Sequence, residues 1–66
     1  MHVTLNGVST QVPDGLTVAG LVAQRSGPDQ RIAVAVHNEV VPRSAWAQTP
    51  LGEDDVVELL TAVAGG

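Results

Sequence analysis

The stretch HVTLNGVSTQV, residues 2–12, determines how the first part of this chain folds. Apolar and polar residues alternate through residues 2–6, which is the period of a strand with one buried face. Asn6-Gly7 is the residue pair favoured in two-residue hairpin turns, and residues 8–12 resume an extended run that contains Val and Thr. The stretch therefore predicts a β-hairpin.

A short helix is predicted to follow the break at residues 13–15. Thr17 can cap its first turn. An apolar stripe at helical spacing consists of Val18, Leu21 and Val22. Gly20 weakens such a helix by about 1 kcal/mol relative to Ala, and Gly27-Pro28 is expected to end it. We therefore expect packing against other elements to stabilise the helix.

A second alternating run occupies residues 31–37 and predicts a central strand. The residues on its apolar face are Ile32, Val34 and Val36. Asn38-Glu39 is predicted to form a turn and residues 40–41 a short returning strand, which Pro42 stops because it has no N–H to donate.

The last part of the chain predicts one more strand. Residues 44–48 are too few for more than a turn of helix, and Trp46 within them is predicted to fill core space. Pro50 and the acidic turn at residues 52–55 lead into a strand over residues 56–61. The predicted order is strand, strand, helix, strand, short strand, last strand.

The alternation of the last strand predicts which side chains face solvent. Glu58 must face water, so Val57 and Leu59 are expected inside and Leu60 outside. Ala62 shares the outward parity of Leu60. An outward Leu before an apolar tail is either an isolated exposed residue or a small docking patch for a partner.

Composition limits the function classes. The chain has 66 residues, no cysteine, no lysine and a net charge of −4, which predicts one small domain with an apolar core and a surface that repels nucleic acid and anionic lipid. The two His residues have no metal-ligand spacing. A charged leader followed by an apolar run is not seen, nor is an apolar stretch of about 18 residues, so we expect a cytoplasmic protein.

The chain ends in TAVAGG, residues 61–66, and core packing does not account for this ending. Glycine has no side chain to bury and loses the most backbone freedom on ordering. We therefore predict a β-sheet domain over residues 1–61 and a flexible tail over residues 62–66.

The segment NEVVPRSAWA, residues 38–47, together with an acidic turn, a β run and the terminal Gly65-Gly66, resembles the ThiS family, the sulfur carriers of thiazole (thiamine) biosynthesis. The Val-Pro-Arg-x-x-Trp pattern and the glycine pair at the terminus are its most specific parts. The resemblance covers nearly the whole chain. It implies an α+β fold of the ubiquitin-like β-grasp type, a mixed sheet of four to five strands packed on one α-helix.

The resemblance also implies the chemistry. A ThiF-like activating enzyme uses ATP to adenylate the α-carboxylate of Gly66, and sulfur from a persulfide donor then replaces AMP to give a thiocarboxylate. A ThiG-like thiazole synthase receives that sulfur. The chain itself would be a carrier, with no catalytic residue and no bound cofactor or metal.

The expected site is therefore the tail and the surface beside it. Gly66 bears the sulfur, and the preceding tail residues are Gly65, Ala64 and Val63. The expected partner surface combines the Leu60 patch with acids that could steer the chain towards a basic partner, and it consists of Leu60, Ala62, Glu58, Asp54 and Asp55.

Other functions share features with this interpretation. The small subunit of molybdopterin synthase and carriers of other thiolation pathways also use a terminal Gly-Gly on a β-grasp fold. A ubiquitin-like protein modifier would use the same activated glycine to form an amide on a target lysine. A plain binding module would not need the glycines.

Overall fold

A five-stranded mixed sheet and one α-helix make up the computed structural model, which describes residues 1–25 and 31–62. The elements are β1 (His2–Leu5), β2 (Val8–Gln11), α1 (Val18–Arg25), β3 (Arg31–Val36), β4 (Glu39–Val41), a 3-10 helix (Arg43–Gln48) and β5 (Val56–Ala62). The strand order in the sheet is β2-β1-β5-β3-β4. The β1–β5 pair is parallel and the other pairs are antiparallel, so the predicted element order and fold class are confirmed.

The first two strands form the predicted hairpin. Leu5 pairs directly with Val8, so Asn6 and Gly7 form a two-residue turn. Their φ angles are 49° and 82°, and positive φ at both positions is the backbone of a type I′ turn. Asn and Gly tolerate that region, which explains why this residue pair predicts the turn.

Helix α1 begins as predicted, with the N–H of Gly20 donating to Thr17 Oγ1 at 3.2 Å. Gly20 also has a packing role, since a Cβ there would lie 2.6 Å from Leu16 Cδ1. Leu16 packs against the core through that space. The predicted stop at Gly27-Pro28 lies outside the described residues.

The core lies between α1, the 3-10 helix and one face of the sheet. It contains Val3, Leu5, Val12, Val18, Leu21, Val34, Trp46, Leu51 and Val57. Trp46 is buried as predicted, and its Nε1–H donates to the carbonyl of Val41 at 2.8 Å. The guanidinium of Arg43 lies 5.3 Å from the centroid of the Trp46 ring, within the range of a cation–π contact. The 3-10 helix has six residues, which is longer than the single turn predicted.

The turn between β3 and β4 lies one residue earlier than predicted. Val36 pairs directly with Glu39, so His37 and Asn38 form the loop and Glu39 is the first residue of β4. His37 and Asn38 have φ of 50° and 67°, which repeats the type I′ geometry of the first hairpin. β3 lies inside the sheet as expected, although the middle position belongs to β5.

The facing of β5 agrees with the prediction. Val57 is fully buried and Leu59 half-buried, whereas Glu58 is exposed and Leu60 is 62% exposed. β5 continues to Ala62, the residue placed first in the predicted tail, and residues 63–66 lie outside the described part of the chain. Within residues 1–25 and 31–62, no helix has the length and hydropathy needed to cross a membrane.

Candidate functional site

The last residues of β5 lead into the predicted tail, and within the described residues β3 is the one strand that pairs with them. β1 pairs with β5 at Thr4 and Leu5, whose partners are Val56 and Val57. Beyond that point the strand pairing continues with β3 alone, up to Arg31 opposite Ala62. The final residues of β5 therefore project past the end of β1. The predicted sulfur-bearing residue Gly66 and the tail residues Gly65, Ala64 and Val63 lie outside the described residues.

Asn6 extends the β1 side of the sheet by one position. Its side-chain Nδ2 donates to the carbonyl of Leu59 at 3.1 Å, and the N–H of Leu59 donates to its Oδ1 at 2.8 Å. The amide thus occupies the place that a backbone peptide of β1 would take if that strand continued. The sequence predicted Asn6 as a turn residue only, because a contact across 53 residues leaves no local signal.

The outward face of the sheet carries an apolar surface beside residues 59–62 of β5, which we call the tail root. Leu60 pairs with Ala33 on β3, and Glu58 pairs with Ala35, which in turn lies opposite Val40 of β4. Val40 is 76% exposed. A shallow groove at Leu60, which we call the Leu60 groove, is lined by Arg31, Ile32, Ala33, Leu60 and Thr61. The structure therefore places Leu60 near the end of β5 and Glu58 on the same face in the middle of the strand, with the Ala62 backbone at the strand end.

The acidic turn lies at the opposite end of β5. Six residue steps separate Val56 from Ala62, which is roughly 20 Å along a strand. Asp54 has φ of 66° and donates its N–H to the His2 carbonyl at 2.7 Å. Of the predicted partner surface, Asp54 and Asp55 are thus not brought together with Leu60.

Asp55 is engaged in local contacts. The N–H of Gly52 donates to its Oδ2 at 2.6 Å, and His37 Nε2 lies 2.8 Å from its Oδ1. The bond from Gly52, followed by that from His37, holds the pKa of the Asp55 carboxyl below its usual value. This carboxylate joins the β3–β4 turn to the start of β5, a structural role that sequence reasoning missed.

Comparisons with known proteins agree with the geometry. Residues 3–66 match the ThiS family. The chain is 32% identical over 66 residues to the sulfur carrier protein ThiS of Escherichia coli strain K12, with both chains covered completely. It is 27% identical over 66 residues to a thiazole synthase of Paramagnetospirillum magneticum, and there it spans only 20% of the relative's length.

Solved structures show the same fold. The crystal structure of the thiamine biosynthesis protein ThiS from Geobacter metallireducens superposes with a TM-score of 0.82 at 30% identity, and each chain is covered completely. The NMR solution structure of a thiamine biosynthesis protein from the same organism gives a TM-score of 0.81 at 30% identity, covering all of this chain and 88% of the other.

Proposed function

The chain belongs to the ThiS family of sulfur carrier proteins of thiamine biosynthesis, and from this membership we propose how its C-terminal end performs that role. Members of the family are non-catalytic carriers, and membership implies C-terminal thiocarboxylate chemistry and interaction with enzymes of thiamine biosynthesis. We assign the sulfur to the α-carboxylate of Gly66. The family match, which runs through the terminal glycine pair, is the observation that supports this assignment.

The carboxylate must be activated before it can accept sulfur. Its reference pKa of about 3.3 to 3.7 leaves it ionised at neutral pH, and an ionised carboxylate is a poor acyl donor. We propose that a ThiF-like enzyme binds ATP and that the carboxylate oxygen attacks the α-phosphate. The bond from that phosphate to pyrophosphate breaks, and the product is an acyl-adenylate on Gly66.

Sulfur then replaces the nucleotide. The terminal sulfur of a donor persulfide attacks the acyl carbon and AMP leaves, which gives an acyl disulfide. A second thiolate attacks the donor's sulfur of that disulfide, so that a thiocarboxylate remains on Gly66 and the two thiols end as a disulfide. This chain contains no cysteine, so both thiols belong to partners.

The glycine pair suits a site inside another protein. Gly65 and Gly66 have no Cβ, so their backbone can enter a narrow channel and adopt dihedrals closed to other residues. Ala62 through Gly66 spans at most roughly 17 Å when fully extended. A short reach of this kind requires the partner to approach the tail root closely, so the surface around Leu60 belongs to the proposed interface.

We propose a ThiG-like thiazole synthase as the acceptor of the sulfur. Support comes from the Paramagnetospirillum magneticum relative, a protein named thiazole synthase of which one fifth resembles this chain. A carrier sequence within the synthase polypeptide suggests that the two proteins work together. Because the proposed activation consumes ATP, we propose that the chain acts in the cytoplasm.

The docking surface is proposed to consist of the Leu60 groove and Glu58, with the Ala62 backbone at its edge. Asp54 and Asp55 are assigned a long-range steering role, because they lie at the far end of β5. Replacing Leu60 by Thr is expected to weaken binding to the activating enzyme by about tenfold, since burying a Leu side chain contributes roughly 1.5–3 kcal/mol. Val56→Thr on the same strand and face is the matched control and should leave the affinity unchanged. Equal effects of the two variants would contradict the assigned surface.

Activation is tested by incubating the chain with ATP, an adenylating enzyme of the ThiF type and a persulfide donor. We expect pyrophosphate release that depends on the chain, and an intact-mass increase equal to the difference between sulfur and oxygen. Recovery of the chain in amide linkage to other proteins, or no adenylate with any cognate enzyme, would contradict the proposal.

A further inference from the structure

Two of the three basic side chains flank the tail root. The chain contains Arg25, Arg31 and Arg43 and no lysine. Arg31 is the first residue of β3, lies opposite Ala62 and lines the Leu60 groove on the outward face of the sheet. Arg25 is the last residue of α1 and lines a second groove, on the helix side of the sheet, with Leu59 and Thr61. Thr61 lines both grooves, so one arginine stands on each side of the same strand end.

Neither of these two arginines takes part in an ion pair or a cation–π contact within the described residues. Arg43 lies over the Trp46 ring, whereas the ion pairs within residues 1–25 and 31–62 join Asp14 to the terminal amine, His2 to Glu53 and His37 to Asp55. None of those pairs includes Arg25 or Arg31, and both side chains are exposed.

The charges are therefore separated along β5. The acidic turn before Val56 marks one end, and Arg25 and Arg31 mark the other. On a chain with a net charge of −4, two arginines beside the tail root are opposite in sign to the average surface. A partner surface that met the tail root would be complementary if it were acidic.

We propose that Arg25 and Arg31 form a cationic collar, one guanidinium on each face of the tail root, that binds acidic side chains at the rim of the activating enzyme's tail channel. This inference rests on the proposed function and adds the chemistry of the contact. Arg is suited to the role because its guanidinium binds carboxylates in a bidentate geometry. The collar would align the tail with the channel before Gly66 reaches the nucleotide.

The reach of the tail favours a protein rim over the phosphates of ATP as the collar's partner. A fully extended Ala62 through Gly66 spans roughly 17 Å, which is longer than an arginine side chain. With the Gly66 carboxylate at the α-phosphate of ATP, guanidiniums at the tail root would then face the channel entrance.

The test compares R25Q/R31Q with R43Q in binding to the adenylating enzyme that turns over the wild-type chain. Glutamine keeps most of each side chain's length and removes its charge. We expect R25Q/R31Q to associate about tenfold more slowly at low ionic strength and to depend less steeply on salt, because rim charges act mainly on association. R43Q should associate at the wild-type rate. Circular dichroism and thermal unfolding of all three proteins establish that they are folded.

The outcomes separate the collar from the proposed function. A wild-type association rate for R25Q/R31Q, while the wild-type chain is adenylated normally, would overturn the collar alone. A raised KM for ATP with unchanged association would also overturn it, because the arginines would then contact the nucleotide. Absence of adenylation of the wild-type chain would overturn the proposed function instead.

Discussion

The two ends of β5 differ in how many neighbours hold them. At its start, the Asp55 carbonyl accepts the N–H of Thr4 at 2.8 Å and the Val56 carbonyl accepts the N–H of His37 at 2.8 Å, so the chain is bonded on both sides. At its end, β3 is the only described strand that pairs with it, and the Asn6 amide bonds Leu59 from the other side. The start of the strand anchors the fold, and its end leads into the predicted tail.

The side chains show the same difference. Val57 is completely buried, whereas Leu60, three residues later, is 62% exposed. Carboxylates at the start, such as Asp55, bond local partners, whereas Arg31 at the end is exposed and outside the ion pairs of the described residues. We infer that stability and function can be changed separately along one strand.

The largest expected effect is a loss of activity without a loss of stability. One residue appended after Gly66 would convert the carboxylate that we propose is adenylated into a peptide bond, so ATP–pyrophosphate exchange with the activating enzyme should be abolished. The free energy of unfolding should stay within about 0.5 kcal/mol of the wild type, because surface changes away from packed groups have small effects. Removal of the added residue by a carboxypeptidase is the control and should restore exchange. Exchange by the extended chain itself would contradict the assignment of Gly66.

Two alanine variants on β5 should separate packing from docking. Val57→Ala removes buried methyl groups and is expected to lower the free energy of unfolding by about 2–3 kcal/mol. Leu60→Ala should lower it by less than about 0.5 kcal/mol, because that side chain is mostly exposed. Urea denaturation measures both. A Leu60→Ala variant as unstable as Val57→Ala would show that the strand end is part of the core.

Removing the Asn6 amide should loosen the tail root. Asn6→Gly keeps a residue that tolerates φ of 49° and deletes both bonds to Leu59, so we expect a loss of about 1–2 kcal/mol. Hydrogen exchange at the Leu59 amide should quicken more than at the Val57 amide. Asn38→Gly, at a similar φ in the β3–β4 turn, is the matched control. Unchanged protection of Leu59 in Asn6→Gly would contradict the role of the amide.

The smallest expected effect is the pH dependence of the free energy of unfolding that Asp55 causes at the start of β5. The pKa of Asp55 is lowered in the folded state, so its stabilisation is present above the unfolded value near 4 and is lost as the pH falls through the folded value. Asp55→Asn should lower the free energy of unfolding by about 1 kcal/mol at neutral pH, and the difference from wild type should shrink below about pH 4. A difference that stayed constant from pH 7 to pH 2 would rule out the charge of Asp55 as its source.

The sequence predicts those features of the fold that depend on neighbouring residues, such as turns and the facing of strands. Asn6-Gly7 predicts the first turn because both residues accept positive φ, and the position of Glu58 predicts the facing of Val57 and Leu60. The sequence predicts Trp46 in the core because burial of a large aromatic ring is favourable, and the ring is buried.

Contacts that depend on tertiary placement were not predictable. Asn6 meets Leu59 across 53 residues, and His37 meets Asp55 across 18, only because β1, β3 and β5 are neighbours in the sheet. The predicted position of the β3–β4 turn is wrong by one residue, because the pairing of Val36 with Glu39 determines which residues form the turn. The distance between the acidic turn and Leu60 likewise follows from the length of β5.

The most direct test of the central claim is fragmentation mass spectrometry of the intact chain after reaction with ATP, the activating enzyme and the persulfide donor. We predict that the sulfur-for-oxygen mass change appears in C-terminal fragments as small as Gly66 itself, and that fragments from residues 1–62 keep their unmodified mass. Sulfur located on any residue other than Gly66 would contradict the account.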